Sequence, residues 1–500
     1  MTDLPAFGLF LGLLLLAVGL GEGLRAYAGW APESSRRAVH ACVGLATAFS
    51  PALFEEPGGI YLLAVLFLVA NVVAAPRRWL PGMHGIERPS WGTATFPVAL
   101  LVALGLCWSL DASRVFALQI AFGVLALADP AASLVGTRVA APRGYRVGET
   151  DKSVAGTLAF GAVAAAVTAL GLAWLRPGWG ALAIGAAALS VAAVGAAAEA
   201  LGRKGWDNLW IVLGAIVPLV HLDALGATGE VSITYLVGVG LAGGFGVAAY
   251  RARSLDLSGA LAASILAWMV VALGGLAWAV PVFTFFVLSS ALSRLGTRRK
   301  AEAEALAQKG SRRDAGQVVA NGGVGAVLLA AHVFVGSPAL YWGFVGAFAA
   351  AAADTWGTEI GTWRRGPTRV LAVGPRVPSG TSGGMSLAGT LGAALGASAV
   401  VASAVLAGAD LGAGGLALVA AGGLAAAVLD SALGATVQAR YLDPEGRLTE
   451  RPTSATPAGA AVAHARVRGW AWVDNDAVNL ACTAFGGLVP LALAPALGLV

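Results

Sequence analysis

The chain has 500 residues, is 58% hydrophobic and carries charge on only 12% of its residues. Apolar stretches follow one another almost end to end, each near the roughly 20 residues that a membrane-crossing helix needs. This excludes a soluble enzyme with its own core and predicts an all-α polytopic membrane protein. The net charge of +5 calls for no nucleic-acid partner, because the cations sort with membrane topology as described below.

In chain order, the opening MTDLPAFGLF has no basic n-region and reads as a retained first helix, not a cleaved signal. Spans are predicted at 5–22, 38–54, 59–75, 93–109, 115–135, 154–175, 179–201 and 207–222. A second set follows at 232–250, 258–274, 277–293, 316–334, 338–354, 386–408, 411–435 and 475–498, about sixteen in all. Many are rich in Gly and Ala, which lets helices pack closely in lipid. Every Lys and Arg except Arg114 and Arg176 falls in alternate connections, around 25–37, 77–88, 138–152, 203–204, 251–253, 294–313, 364–376 and 440–468. The positive-inside rule makes those connections cytoplasmic, as in a multi-pass protein of the cell inner membrane. Cys42, Cys107 and Cys482 lie scattered in apolar segments with no metal or disulfide spacing. His84, His221, His332 and His464 likewise show no ligand spacing.

A phrase recurs. Asp129 is followed by Gly136, a basic connection and Ser153-Val-Ala-Gly156-Thr157; Asp354 is followed by Gly361, a basic connection and Ser386-Leu-Ala-Gly389-Thr390. Glu199-Ala-Leu-Gly202 then answers Asp430-Ser-Ala-Leu-Gly434, and WDNLW at 206–210 answers WVDNDAVNL at 472–480. Three motifs in one order at equivalent spans imply two homologous halves, 1–225 and 230–500. Each half has about eight spans, and an even number makes the copies parallel.

Carboxylates at the ends of membrane helices are costly unless paired or hydrated. One half carries Asp129, Glu199 and Asp207; the other carries Asp354, Glu359, Asp430, Asp474 and Asp476. With Asn208 or with Asn475 they offer hard oxygen ligands suited to Mg²⁺. Arg138 and Lys152 flank the first set, with Arg143 and Arg146 nearby; Arg364, Arg365, Arg369 and Arg376 flank the second. Glycines beside them, and helix starts expected at Lys152-Ser153 and Thr381-Ser382, suit an anion. Arg36, Arg37 and His40 form a cluster that reads either as a flanking anchor or as part of a phosphate site. Acids for a metal together with cations for phosphate are the equipment of phosphoryl or nucleotidyl transfer.

On these residues the chain resembles known families. The first half resembles the phytol kinase and dolichol kinase family, relatives of phosphatidate cytidylyltransferase, through RRAVHACVG (36–44), the Asp129 to Gly136 segment, KSVAGT (152–157) and the Glu199 to Asn208 segment. The family's Asp, Lys-Ser and Asp-Asn positions fall on Asp129, Lys152, Ser153, Asp207 and Asn208. Ala128 stands where a Gly usually precedes the motif Asp, and Ser133 where a second acid often sits. The second half resembles the membrane family that includes phytyl-phosphate kinase, through SRLG (293–296), KGSRRDAGQVVANGG (309–323), ADTWGTEIG (353–361), PSGTSGGMSLAGT (378–390), DSALGATVQARY (430–441) and DNDAVNL (474–480).

The resemblance implies two consecutive activities. One phosphorylates an isoprenoid alcohol of the phytol or geranylgeraniol type; the other converts the monophosphate to the diphosphate, with CTP as donor and Mg²⁺ as cofactor. It assigns catalysis to Asp129, Lys152, Asp207, Asp354, Asp430 and Asp474. Phosphate contacts fall to Arg36, Arg37, His40, Arg138, Ser153, Asn208, Arg312, Arg313, Asn321, Arg376, Thr381 and Ser382. A cytidylyltransferase forming a CDP-lipid and a lipid-phosphate transporter are the rival readings.

Overall fold

The computed structural model describes residues 3–77, 79, 90–139, 143–148, 150–295, 312–364, 366–455 and 461–499. Arg365, His84 and most of the basic connections at 80–88 and 296–311 lie outside the described residues. Among those described there are sixteen α-helices, one on each predicted span. They are α1 (Leu4–Ala28), α2 (Pro32–Phe49), α3 (Gly58–Arg77), α4 (Gly92–Leu104), α5 (Val115–Arg138), α6 (Val154–Leu175), α7 (Ala181–Leu201) and α8 (Asp207–Ala224). Then follow α9 (Gly229–Arg251), α10 (Leu257–Ala272), α11 (Gly275–Arg294), α12 (Ala315–Val335), α13 (Pro338–Trp363), α14 (Leu387–Leu406), α15 (Gly412–Thr436) and α16 (Asn475–Ala496).

Thirteen of these helices are long and apolar enough to cross a membrane. The chain is an all-α polytopic membrane protein. The exceptions each have a physical reason. Helix α10 is short. Helix α2 carries Glu33, Arg36, Arg37 and His40 within its first turns, so its apolar face is only a stripe. Helix α13 is enclosed by protein: Ala339, Leu340 and the whole run Trp342–Ala353 are buried. A helix that lipid does not touch has no need of lipid-like side chains.

Two expectations about helix starts differ from the structure. Helix α2 begins at Pro32, not near 38, because proline suits the first helical position. Arg36 and Arg37 are therefore helical, like His40, and not part of the preceding connection. Thr381 and Ser382 open no helix. They lie in a turn before a short strand, and α14 starts later, capped by Ser386.

The polar connections hold short antiparallel pairs. A hairpin of β1 (Gly144–Val147) and β2 (Thr150–Ser153) precedes α6. The pair β3 (Arg369–Val370) and β4 (Gly384–Met385) precedes α14. Between α15 and α16, β5 (Arg440–Leu442) lies between β6 (Leu448–Thr449) and β9 (Ala465–Arg468), and β7 (Thr453–Ala455) pairs with β8 (Ala461–Ala463).

Contacts divide the chain into two compact units, Met1–Gly240 and Leu241–Val500. The first half of α9 belongs to the first unit. Tyr235 is fully buried there, with its hydroxyl 2.8 Å from His221 Nδ1 and 3.2 Å from Pro218 O. In the first unit α5 packs on α6 and α8, α7 on α8, and α4 on α8. The second unit makes the same pairings eight helices on: α13 with α14 and α16, α15 with α16, and α12 with α16.

Candidate functional site

In the first unit Asp129 lies just past the middle of α5, beside α2. His40 Nε2 is 3.7 Å from Asp129 Oδ2 and 3.3 Å from Leu125 O. The charged neighbours of Asp129 are Asp207 at the start of α8, Glu199 at the end of α7, Lys152 on β2, and Arg36 on α2. The hairpin supplies Lys152: its register sets Tyr145 opposite Lys152, and the Tyr145 hydroxyl bonds Thr157 Oγ1 in the first turn of α6. Lys152 Nζ donates to Glu199 Oε1 at 2.5 Å and to Glu199 O at 2.8 Å. Arg36 donates to Ser90 Oγ at 3.0 Å.

The remaining expected residues of this unit stand apart from the acids. Ser153 caps α6, accepting from Gly156 N at 3.0 Å. Asn208 donates to Gly92 O at 2.8 Å and to Thr95 Oγ1 at 3.3 Å, so its amide joins α8 to α4. Arg37 pairs along its own helix with Glu33 at 3.7 Å. Arg138 is exposed at the end of α5.

In the second unit Asp354 on α13 and Asp430 on α15 are in side-chain hydrogen-bond contact. Two carboxyl groups so placed need a shared proton or a cation between them. Cys482 on α16 donates to Asp430 Oδ1 at 3.7 Å, a partner that an isolated cysteine in an apolar stretch does not announce. Arg313 and Glu359 are charged neighbours of Asp354, and Glu359 Oε1 accepts from Ser293 Oγ. Arg313 is fixed by its backbone: its N–H reaches Ser254 O at 3.1 Å, and its carbonyl accepts from Asp256 N at 3.0 Å. Burial pulls its guanidinium below its usual range, and the charges of Glu359 and Asp354 oppose that shift.

Other expected residues of the second unit have structural partners. Asp474 is the N-cap of α16, accepting from Ala477 N at 2.9 Å, and Asn475 and Asp476 form the first turn behind it. Ser382 Oγ donates to Gln438 Oε1, and Arg440 reaches Ser382 O at 3.4 Å. Thr381 closes a turn onto Pro378 O at 2.7 Å. Arg376 is exposed, and Arg312 lies 5.7 Å from the Tyr250 ring centre.

Each unit also holds an apolar cavity. The first is walled by α1 to α4; Arg36, His40, Asn71 and Thr93 stand at one end of it. The second is walled by α9 to α13 and carries Arg313, Gln317 and Asn321. Thr93, Asn71 and Gln317 escape a reading of the sequence, because a polar residue near the end of an apolar run looks like an ordinary helix-end residue.

Among the described residues no three His, Cys, Asp or Glu side chains converge as a closed metal cage does. In the first unit Glu199 is engaged by Lys152. Asp207 Oδ1, in contrast, is buried with no hydrogen-bond partner. An Asp129–Asp207 pair fits Mg²⁺, which is commonly held by one or two carboxylates plus substrate phosphates and water.

These features define a polytopic membrane protein with a polar cluster and an adjoining apolar cavity in each unit. Residues 240–487 match the family described as integral membrane protein DUF92. The chain is 30% identical over 214 residues to Protein PGR of Arabidopsis thaliana, covering 38% of this chain and 74% of that protein. It is 29% identical over 147 residues to an uncharacterized membrane protein of Methanocaldococcus jannaschii, covering 29% of this chain and 60% of that one. The chain therefore belongs to the DUF92 integral membrane family. No solved structure matches it.

Proposed function

We propose that this protein is a bifunctional membrane kinase at the cytoplasmic face of the cell inner membrane, converting an isoprenoid alcohol first to its monophosphate and then to its diphosphate, with CTP as donor. The observation that carries this reading is the pairing, in each unit, of an apolar cavity with a cluster of acids and cations. Arg36 and His40 belong both to the first cavity and to the surroundings of Asp129; Arg313 belongs both to the second cavity and to those of Asp354. The resemblance of the first half to phytol and dolichol kinases, and of the second to the family of phytyl-phosphate kinase, supports the order of the two steps.

In the first step the alcohol lies with its chain in the α1–α4 cavity and its oxygen toward Asp129. That oxygen attacks the γ-phosphorus of CTP, the bond from this phosphorus to the bridging oxygen breaks, and CDP leaves. The alcohol proton passes to Asp129, beside which His40 stands at 3.7 Å. Arg36 offsets the charge spread over the transferring group. Asp129 and Asp207 in the first unit, and Asp354 and Asp430 in the second, would hold Mg²⁺, which when bound neutralises donor phosphate charge. The acceptor of the second step is already an anion, so no proton has to be removed. Arg313 then serves as its positive clamp.

The test supplies membranes containing the protein with labelled geranylgeraniol or phytol, CTP and Mg²⁺, and identifies the products. Monophosphate and diphosphate are expected. Asp129→Asn abolishes the monophosphate yet still converts added monophosphate to diphosphate, whereas Asp354→Asn accumulates monophosphate. Absence of phosphorylated lipid ends the reading. Release of pyrophosphate with a CDP-lipid replaces it by cytidylyl transfer, and nucleotide-free counterflow in liposomes replaces it by transport.

A further inference from the structure

The α1–α4 cavity has two unlike ends. Helix α2 contributes Arg36 and His40 to one end and Thr47 toward the other; α4 runs from Thr93 to Leu100 along the same wall. From Arg36 to Thr47 the helix rises about 16 Å, roughly half of the 30 Å hydrocarbon thickness of a bilayer. The far end is blind: Phe10, Leu63 and Thr47 are each 1% exposed, and Leu100 is 6% exposed. Phe10 is backed there by Phe54, edge to face at 5.7 Å. At the near end Thr93 Oγ1 is buried with no hydrogen-bond partner, although a buried hydroxyl normally has one.

The geometry points to a chain-length gauge: this cavity takes one lipid chain no longer than a leaflet is deep, with its hydroxyl on Thr93 beside His40 and its tail ending against Phe10, Leu63 and Leu100. This rests on reading the cavity as the acceptor site of the kinase, and it adds what that reading leaves open, the length of the acceptor. The occupant follows from the walls. Apart from the polar end and Thr47, whose hydroxyl is taken up by Val43 O at 2.8 Å, the lining is apolar, which suits a hydrocarbon with one small polar head. A blind floor one leaflet down excludes a long polyprenol.

The experiment measures binding without nucleotide. Farnesol, geranylgeraniol and a dolichol-length polyprenol compete against a fluorescent isoprenoid on the detergent-purified full chain, and ratios of Kd are compared within each protein so that loss of folded material cancels. The wild type is expected to reject the long polyprenol. Leu100→Ala deepens the floor and moves the geranylgeraniol-to-farnesol ratio toward the longer chain by about tenfold. Ala64→Leu, on the α3 wall one residue from Leu63, fills the deep end and moves it the opposite way. Thr93→Val weakens alcohols by about tenfold and leaves their methyl ethers, which cannot donate, less affected. Equal binding of all three lengths by the wild type, or ratios unmoved by both floor variants, overturns the gauge. Shifted ratios without phosphorylated product in the membrane assay sink the kinase reading and leave the gauge standing. Product with unmoved ratios does the reverse.

Discussion

Lys152 and Glu199 form a closed unit: one ammonium group donates both to the carboxylate and to the main-chain carbonyl of the same residue. The pair is largely enclosed, with side chains 16% and 12% exposed. It pins the β1–β2 hairpin to the end of α7. The cation that the resemblance assigns to catalysis is thus already holding an acid. Its charge still acts on Asp129, one element away.

Removing one partner of such a pair leaves a buried charge, which costs about 3–5 kcal/mol. Lys152→Met should therefore lower the thermal midpoint of the detergent-solubilised protein sharply. Lys152→Met combined with Glu199→Gln should recover most of the loss, because no lone charge remains. A double variant no more stable than the single one means that Lys152 acts elsewhere than on Glu199.

The repeated Gly and Ser motifs are built alike in the two units. A Cβ on Gly156 would meet Ala132 O at 2.8 Å, and one on Gly389 would meet Gly357 O at 3.0 Å. Backbone in the facing helix cannot move aside as a flexible side chain can. Gly156→Ala should therefore cost about 1–3 kcal/mol by separating α5 from α6, and Gly389→Ala should act similarly on α13 and α14. Gly161, on the same helix as Gly156, faces open space, and Gly161→Ala should leave the melting temperature nearly unchanged. Equal losses at Gly156 and Gly161 would remove the argument from close packing.

The helices were legible because lipid and a protein core both demand long apolar runs, and no other part of the chain supplies them. Asp129 and Asp354 were legible as carboxylates that such runs rarely tolerate, their phrases repeating in order. What escaped notice has physical causes. The first turns of α2 are polar, so hydropathy placed its start late, although Pro32 is a good first residue. Strands of two to four residues leave no periodicity to detect. Asp474 reads as one more acid until its oxygen is seen capping Ala477 N. The cavities are spaces left between the first helices of each unit, set by how side chains pack and not by any one segment.

If Asp129 and Asp207 share a divalent cation, losing one ligand should weaken the metal, not the lipid. Asp207→Asn is expected to raise the Mg²⁺ concentration for half-maximal monophosphate formation by at least the roughly tenfold that loss even of an outer-shell partner costs. The Kd for the alcohol, measured without nucleotide, should stay near its original value. Chelation by EDTA should stop both steps reversibly. An unchanged Mg²⁺ requirement in Asp207→Asn assigns the unpartnered Oδ1 another role.

Arg313 brings a full positive charge to the second cavity, as Arg36 does to the first, but without the imidazole that His40 adds there. An acceptor that is already a monophosphate gains a charge-assisted contact there, worth about 1.5–3 kcal/mol. Arg313→Gln should accordingly raise KM for the monophosphate by roughly ten- to hundredfold, with a smaller change in kcat, and leave formation of monophosphate from the alcohol intact. Arg313→Lys keeps the charge but loses the planar fork, so it should fall between the two. The backbone of residue 313 makes its bonds to Ser254 and Asp256 whatever the side chain, which keeps the α10–α12 junction in place and makes the kinetic comparison fair. A loss of kcat with KM unchanged would mean that Arg313 acts on the Asp354–Asp430 pair and not on the arriving phosphate.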